Sequence, residues 1–347
     1  MVKSADGLVI DLTDFLTSDI LNLKQYLKDR GEGNFSIAKD RTLVDTRNVF
    51  AFPDNVEMDV FFTLSSAKPG REFSTTAANG LDATLIQHHS FVRLPEEGYQ
   101  VLKSDPRAGA IERVHYDYSA PLAGQIETRL ARRYRLEKND AGETINPIVF
   151  YIDSGAPEPI RGALVDGAKW WEEAFAAAGY PDGYRVEVLP EDAHPLDIRY
   201  NVVQWVHRQT RGWSYGGGVS DPRTGEMLKG HVNLGSLRVR QDRMIFEGLV
   251  GTSKTNTGAD DDPVELALDR IRQLSAHEVG HALGFAHNFA ASTYNKGSVM
   301  DYPAPDVRVT NGQMDFSNTY GVGVGEWDKF AAIWPVSYTH LRAPRDS

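Results

Sequence analysis

The sequence of 347 residues contains no cysteine, which excludes disulfides, thiolate metal ligands and any cysteine-based latency switch. Basic side chains are in deficit. With 37 Lys and Arg against 48 Asp and Glu, the formal net charge is -11, which argues against nucleic acid and anionic membrane surfaces as partners. No apolar run approaches the length of a transmembrane helix, and there is no internal repeat or low-complexity stretch. An apolar signal-peptide core is also missing, since residues 1–10 hold a lone Lys3 followed by acidic and polar residues. What is present suffices for packed cores. Hydrophobic residues make up 41% and aromatic residues 10%, and the length suits two domains.

The chemistry concentrates in His277-Glu278-Val279-Gly280-His281-Ala282-Leu283-Gly284-Phe285-Ala286-His287. On a helix, His277 and His281 share one face, where two imidazoles can grip one metal ion. Glu278 lies one step round, able to reach a water on that metal without being a ligand. Gly284 can take the positive φ that ends a helix and turns the chain, and His287 then supplies a third ligand from outside the helix. Downstream, Ser298-Val299-Met300-Asp301-Tyr302 provides the Met-containing turn that accompanies the long zinc motif. The expectation is one Zn2+ on His277, His281 and His287. Three neutral imidazoles leave a position for water, and Glu278 acts as the general base.

With these residues in view, the chain resembles the metzincin clan of zinc endopeptidases. It is more closely similar to bacterial zinc-dependent metalloproteases that carry a long N-terminal domain of unknown function. The matching stretches are residues 91–95, 147–153 and 221–226, the zinc motif with Asn288-Phe289, and the Met-turn, within a span from about Asp11 to about Trp334. The resemblance implies a zincin-like catalytic domain with a mixed twisted sheet and an active-site helix, preceded by a mainly β N-terminal domain. It implies a metalloendopeptidase acting on extended peptide, and export to the periplasm, cell surface or medium, so that residue 1 enters an already running domain. It also implies that Met300 forms an apolar floor beneath the ligands. Tyr302 stands where astacin-like and serralysin-like relatives carry a Tyr that can donate to the tetrahedral oxyanion. Two other classes stay open: a zinc hydrolase of non-peptide substrates, and a catalytically silent, zinc-stabilised binding protein. Glu278 argues against the second, because a structural site needs no base.

In chain order, residues 9–138 read as mainly β, with strands at 60–64, 84–94, 111–118 and 127–137 and a helix at 19–28. His88, His89 and His115 fall in strand-like stretches as ordinary sheet positions. Arg129, Arg132, Arg133 and Arg135 suggest a solvated or salt-bridged sheet face, or a domain-contact patch. The polar turn at 139–143 sets the junction between domains 1–142 and 143–335. Beyond it come a strand at 147–152 and a helix at 159–178, which buries Ile160, Leu164, Ala168, Trp171 and Phe175. Strands at 185–189 and 198–206 follow, then a turn at 221–225 joining 219–220 to 227–234. The last of these is the expected edge strand for substrate. After a flexible polar loop at 248–261, the zinc helix starts with Asp262 as N-cap, Pro263 first and Glu265 reaching back. Asp260, Asp261 and Asp262 lack the loop spacing of a calcium site and read as solvated charge plus the cap. Residues 336–347 resemble the translation of a sequencing-library adapter and are set aside as a non-native tail.

Overall fold

The computed structural model describes residues 2–4, 7–208, 212–302 and 304–340. The chain forms two compact units, Met1–Arg93 and Leu94–Ser347.

The first unit is mainly strand. Asn55–Ser65 is its central strand and pairs antiparallel with Asp82–Val92 along its whole length. Leu43–Ala51 and then Ser36–Ile37 pair with its other side. Phe62 and Leu64 point into a small core with Phe35, and Leu23, Leu27 and Phe73 pack against it. The helix expected at 19–28 runs Leu23–Asp29, because the Asp19 carboxylate accepts the Leu23 and Lys24 N–H groups and fixes its start. His88 and His89 are strand residues. His88 bridges Asp59 and Glu57, each at 2.7 Å, and His89 meets the Gln87 amide.

The second unit is built on five strands and five helices that position the site. The strands are β1 (Ile148–Ile152), β2 (Tyr184–Val188), β3 (Asn201–Val206), β4 (Tyr215–Ser220) and β5 (Met227–Gly235). The helices are α1 (Ile160–Lys169), α2 (Trp171–Ala177), α3 (Leu237–Val250), α4 (Pro263–Leu283) and α5 (Glu326–His340). The sheet order is β2-β1-β3-β5-β4. All pairs are parallel except the last, where β4 runs antiparallel to β5. Ile148, Phe150 and Ile152 alternate inward and, with Val203, Val232, Trp171, Ile271 and Val279, form the main core between sheet and helices.

Several sequence expectations change here. The edge strand is β4, not the 227–234 stretch, because β4 hydrogen-bonds along β5 and covers it. The helix expected over 159–178 is two helices that meet at Trp170. There Trp171 turns inward, fully buried, and donates from Nε1 to the Ala276 carbonyl on α4 at 2.8 Å. The loop expected from residue 248 begins only after α3, which runs to Val250. Asp262 caps α4 through Val264 N–H and also accepts from Asn256 and Gly258 N–H. Its own N–H donates to the Ala259 carbonyl, so Glu265 does not close a capping box. Asp261 pairs with Lys254 at 3.0 Å.

Compactness divides the chain at Arg93/Leu94, whereas the polar turn that suggested a junction lies at 139–143. The reason lies in what residues 94–142 touch. The hairpin of Glu112–Tyr116 and Glu127–Ala131 joins this unit through backbone bonds from Ile111 N–H to the Gly284 carbonyl and from Ala286 N–H to the Gly109 carbonyl. Met227 N–H donates to the Arg133 carbonyl, and Arg135 forms an ion pair with Glu226 at 2.8 Å. Arg129 pairs with Glu112 and Glu127, so two of the four arginines of this basic run are salt-bridged, while Arg133 donates to the Gln100 carbonyl. Beyond Trp334 the α5 backbone continues to His340, and the rest of the presumed tail, 341–347, lies outside the described residues. Among the described residues, no helix is long and apolar enough to cross a membrane.

Candidate metal centre

Helix α4 is one unbroken helix of 21 residues, so the spacing that sequence suggested is realised on a single face. Gly284 ends it in the left-handed region, at φ 103. A Cβ at this position would collide with the Arg132 carbonyl oxygen, so both the turn and the close approach require glycine. The turn brings His287 back to the helix face. The ligand atoms of His277, His281 and His287 all lie within 4.8 Å of one another, with the Nε2 atoms of His281 and His287 at 3.0 Å.

Backbone carbonyls set the tautomers of the two helical imidazoles. His277 Nδ1 meets the Val299 carbonyl at 2.7 Å, and His281 Nδ1 meets that of Phe285 at 2.8 Å. A carbonyl can only accept, so each Nδ1 carries the proton and each Nε2 presents a lone pair. His277 Nε2 is buried and has no hydrogen-bond partner. Burial pushes the His277 pKa down to about 3 and lowers those of His281 and His287, which keeps all three rings neutral. An orphaned, buried lone pair facing two further imidazoles fits a zinc ion, which takes neutral imidazole nitrogen readily.

The floor is apolar. Met300 is 1% exposed, and its thioether lies against Gly280, the residue just before the second helical histidine. Trp171 closes the same floor and stacks on Phe285 with centroids 4.9 Å apart. Behind the turn, the fully buried Asp328 of α5 accepts from Ser298 Oγ at 2.6 Å, Val299 N–H at 2.8 Å and Gly325 N–H at 2.7 Å. That clamp fixes the peptide whose carbonyl orients His277.

Glu278 and Tyr302 both stand at the centre. Glu278 receives the Gly216 N–H of the edge strand β4. Burial pushes its carboxyl up to about 7, while that bond and the Arg270 charge pull the other way. A Cβ at Gly216 would overlap the Glu278 carbonyl oxygen, so this close approach of β4 to α4 needs glycine. The Tyr302 ring stacks beside His277 at 4.9 Å and lies 4.5 Å from His287, with most of the residue exposed. Burial raises its phenol pKa.

Sequence reasoning missed four contributors. The run Gly216-Gly217-Gly218 inside a strand was a readable sign of close backbone approach. Arg270 sits two turns before His277 on α4, and Arg238 and Asp328 reach the region from other helices, where no spacing rule could place them.

A helical His pair, a third His beyond a glycine turn and a methionine floor together define a zincin of the metzincin type. Comparison with known families agrees. Residues 259–346 match the family model described as Met-zincin, and residues 2–139 match a domain of unknown function (DUF5117). The chain thus carries a Met-zincin domain near its C-terminal end, preceded by that N-terminal domain, and its three clustered histidines fit a metzincin. No curated protein matches it.

Proposed function

We propose that the chain is a zinc-dependent metalloendopeptidase. Glu278 carries this reading. It is a buried carboxylate one residue from the first histidine, held by the edge strand and opening onto a cavity, where a purely structural zinc site would have no use for it. His277, His281 and His287 would hold the ion through Nε2. When bound, zinc supplies Lewis acidity, which makes a water more acidic and a scissile carbonyl more electrophilic.

The chain's own groups do the rest. An extended peptide pairs with the free side of β4, adding a strand to the sheet. A Glu278 carboxylate oxygen takes the proton of the attacking water and passes it to the leaving amine. The Tyr302 hydroxyl donates a hydrogen bond to the oxyanion as it forms. Met300 and Trp171 keep the floor dry, and the Val299 and Phe285 carbonyls keep two imidazoles in the ligating tautomer. We extend the reading to an exported enzyme with residues 143–335 as its catalytic core, as the family resemblance implies. Detection of the protein in culture medium or periplasm tests the export.

The decisive experiment combines zinc analysis with cleavage of casein or fluorogenic peptides, with and without chelator. Glu278→Gln should keep its zinc and fold and lose activity by roughly a thousandfold or more. Activity within tenfold of wild type would place the base elsewhere.

A further inference from the structure

A cavity of about 400 Å³ opens beside Glu278 and Tyr302, with Leu274 on its wall and the exposed Trp213 at its rim. Two guanidiniums line it: Arg270 from α4 and Arg238 from the first turn of α3. An adjoining hollow of about 200 Å³ shares Arg270, Leu274 and Tyr302 and reaches His277 and Asp301. Two like charges on one partly buried wall are unfavourable unless something anionic meets them.

The carboxylates nearby are already engaged. Asp242 pairs with Arg238 at 2.9 Å. Asp301 accepts from Ser292 Oγ at 2.5 Å and from the Tyr302 N–H at 2.7 Å. Glu278 is held by Gly216. Arg270 has a different kind of partner. Its Nη1 donates to the neutral Gln273 amide oxygen at 2.5 Å, and its guanidinium lies 5.9 Å from the Tyr320 ring centroid. Among the described residues it forms no ion pair; burial and the nearby Arg238 disfavour its charge, and the fields of Tyr320, Asp242 and Glu278 offset them only in part. A guanidinium does not deprotonate in proteins, so an incoming anion would relieve the part that these neighbours leave uncompensated.

We infer that Arg270, with Arg238 behind it, forms a carboxylate-binding pocket that selects peptide substrates bearing an acidic group beside the scissile bond. The inference rests on the peptidase reading of the same site and names its substrate class. The carboxylate comes from an Asp or Glu side chain or from a free peptide C-terminus. Either meets the planar fork of Arg270 through charge-assisted hydrogen bonds, which discriminate an acid from its neutral amide by about ten- to a hundredfold.

The test measures binding separately from cleavage. Fluorescence anisotropy of labelled peptides is recorded on zinc-loaded Glu278→Gln protein. Peptide pairs differ only by Glu against Gln at one scanned interior position, or by a free against an amidated C-terminus. One acidic member should bind at least tenfold more tightly than its neutral twin, and the pair that shows this identifies the source. Arg270→Leu should bring the ratio close to one, and Arg270→Glu should turn the preference toward Lys peptides. If those variants do not fold, a salt titration of the unsubstituted Arg270 protein gives the same answer, because only the acidic peptide should weaken as salt rises. Equal affinity within every pair overturns the inference. Cleavage by the wild-type enzyme without acidic preference would sink this inference alone. Selective binding of the acidic peptide with no cleavage of any peptide would sink the peptidase reading alone.

Discussion

Substituting Gly280 by alanine tests the floor beneath the ligands, because two opposing effects predict opposite signs. Alanine in a helix interior is favoured over glycine by about 1 kcal/mol, so helix propensity alone predicts stabilisation. The structure predicts the reverse. The new Cβ would overlap Met300 Sδ and come 2.6 Å from Trp171 Cζ2, well inside van der Waals contact. The Trp171 indole cannot retreat, since it is fully buried and tied by Nε1 to the Ala276 carbonyl. Met300 is enclosed, at 1% exposure, so its thioether has little free space to retreat into and pushes on the Met-turn. Overpacking of this kind costs up to about 3 kcal/mol, leaving a net loss of about 2 kcal/mol, or about 4–8 °C in melting temperature for a unit of this size. Displacement of the turn also moves the Val299 carbonyl off His277 Nδ1, so zinc affinity should fall by roughly ten- to a hundredfold. Calorimetric melting of the metal-free protein, paired with competitive zinc titration, reads both effects. A raised melting temperature with unchanged zinc affinity would refute the packing argument.

His287→Ala removes the one ligand outside the helix, and elemental analysis should find zinc sharply reduced; full occupancy would contradict the three-histidine centre. Tyr302→Phe should lower kcat by roughly a hundredfold with KM and zinc content nearly unchanged, as expected for loss of an oxyanion donor. An unaltered kcat would leave the ring with a packing role only. In the first unit, burial alone would lower the His88 pKa, but hydrogen bonds to Asp59 and Glu57 outweigh it and raise the value. A raised folded-state pKa contributes stability below the unfolded value of about 6.5, and that stability is lost as pH rises through the folded one. Hydrogen-exchange protection of Asn55–Ser65 and Asp82–Val92 should therefore drop toward alkaline pH in wild type, and the drop should be smaller in His88→Gln. Identical profiles would remove His88 from the account.

The parts legible in sequence were those written in local spacing. The zinc motif and the Asp262–Pro263 helix start each depend on residues a few positions apart; the fold brings the three histidines together and caps the helix at Asp262. Neighbour order in the sheet is not local. The turn at 221–225 announces 227–234 as one of its two flanking strands, but nothing in it reveals that the glycine-rich segment on the other side pairs outside it. Helix α3 escaped notice because Arg238, Arg240 and Arg243 interrupt its apolar stripe, and only Asp242 and Phe246 are buried. The break at Trp170 answers to a tertiary bond, Trp171 to Ala276, across 105 positions.

The glycine turn before His287 leans on a hairpin more than 150 residues upstream, through Ile111 to Gly284 and Ala286 to Gly109. That hairpin lies within the stretch matched as the N-terminal domain of unknown function, so the inherited module and the folding module are not the same piece of chain. A fragment starting at Glu143 would retain every proposed ligand yet lose the buttress that holds the third one in place. Its loss of zinc would then say nothing about the motif. A fragment starting at Leu94 keeps the buttress, and is the shorter protein in which the catalytic proposal can be fairly judged.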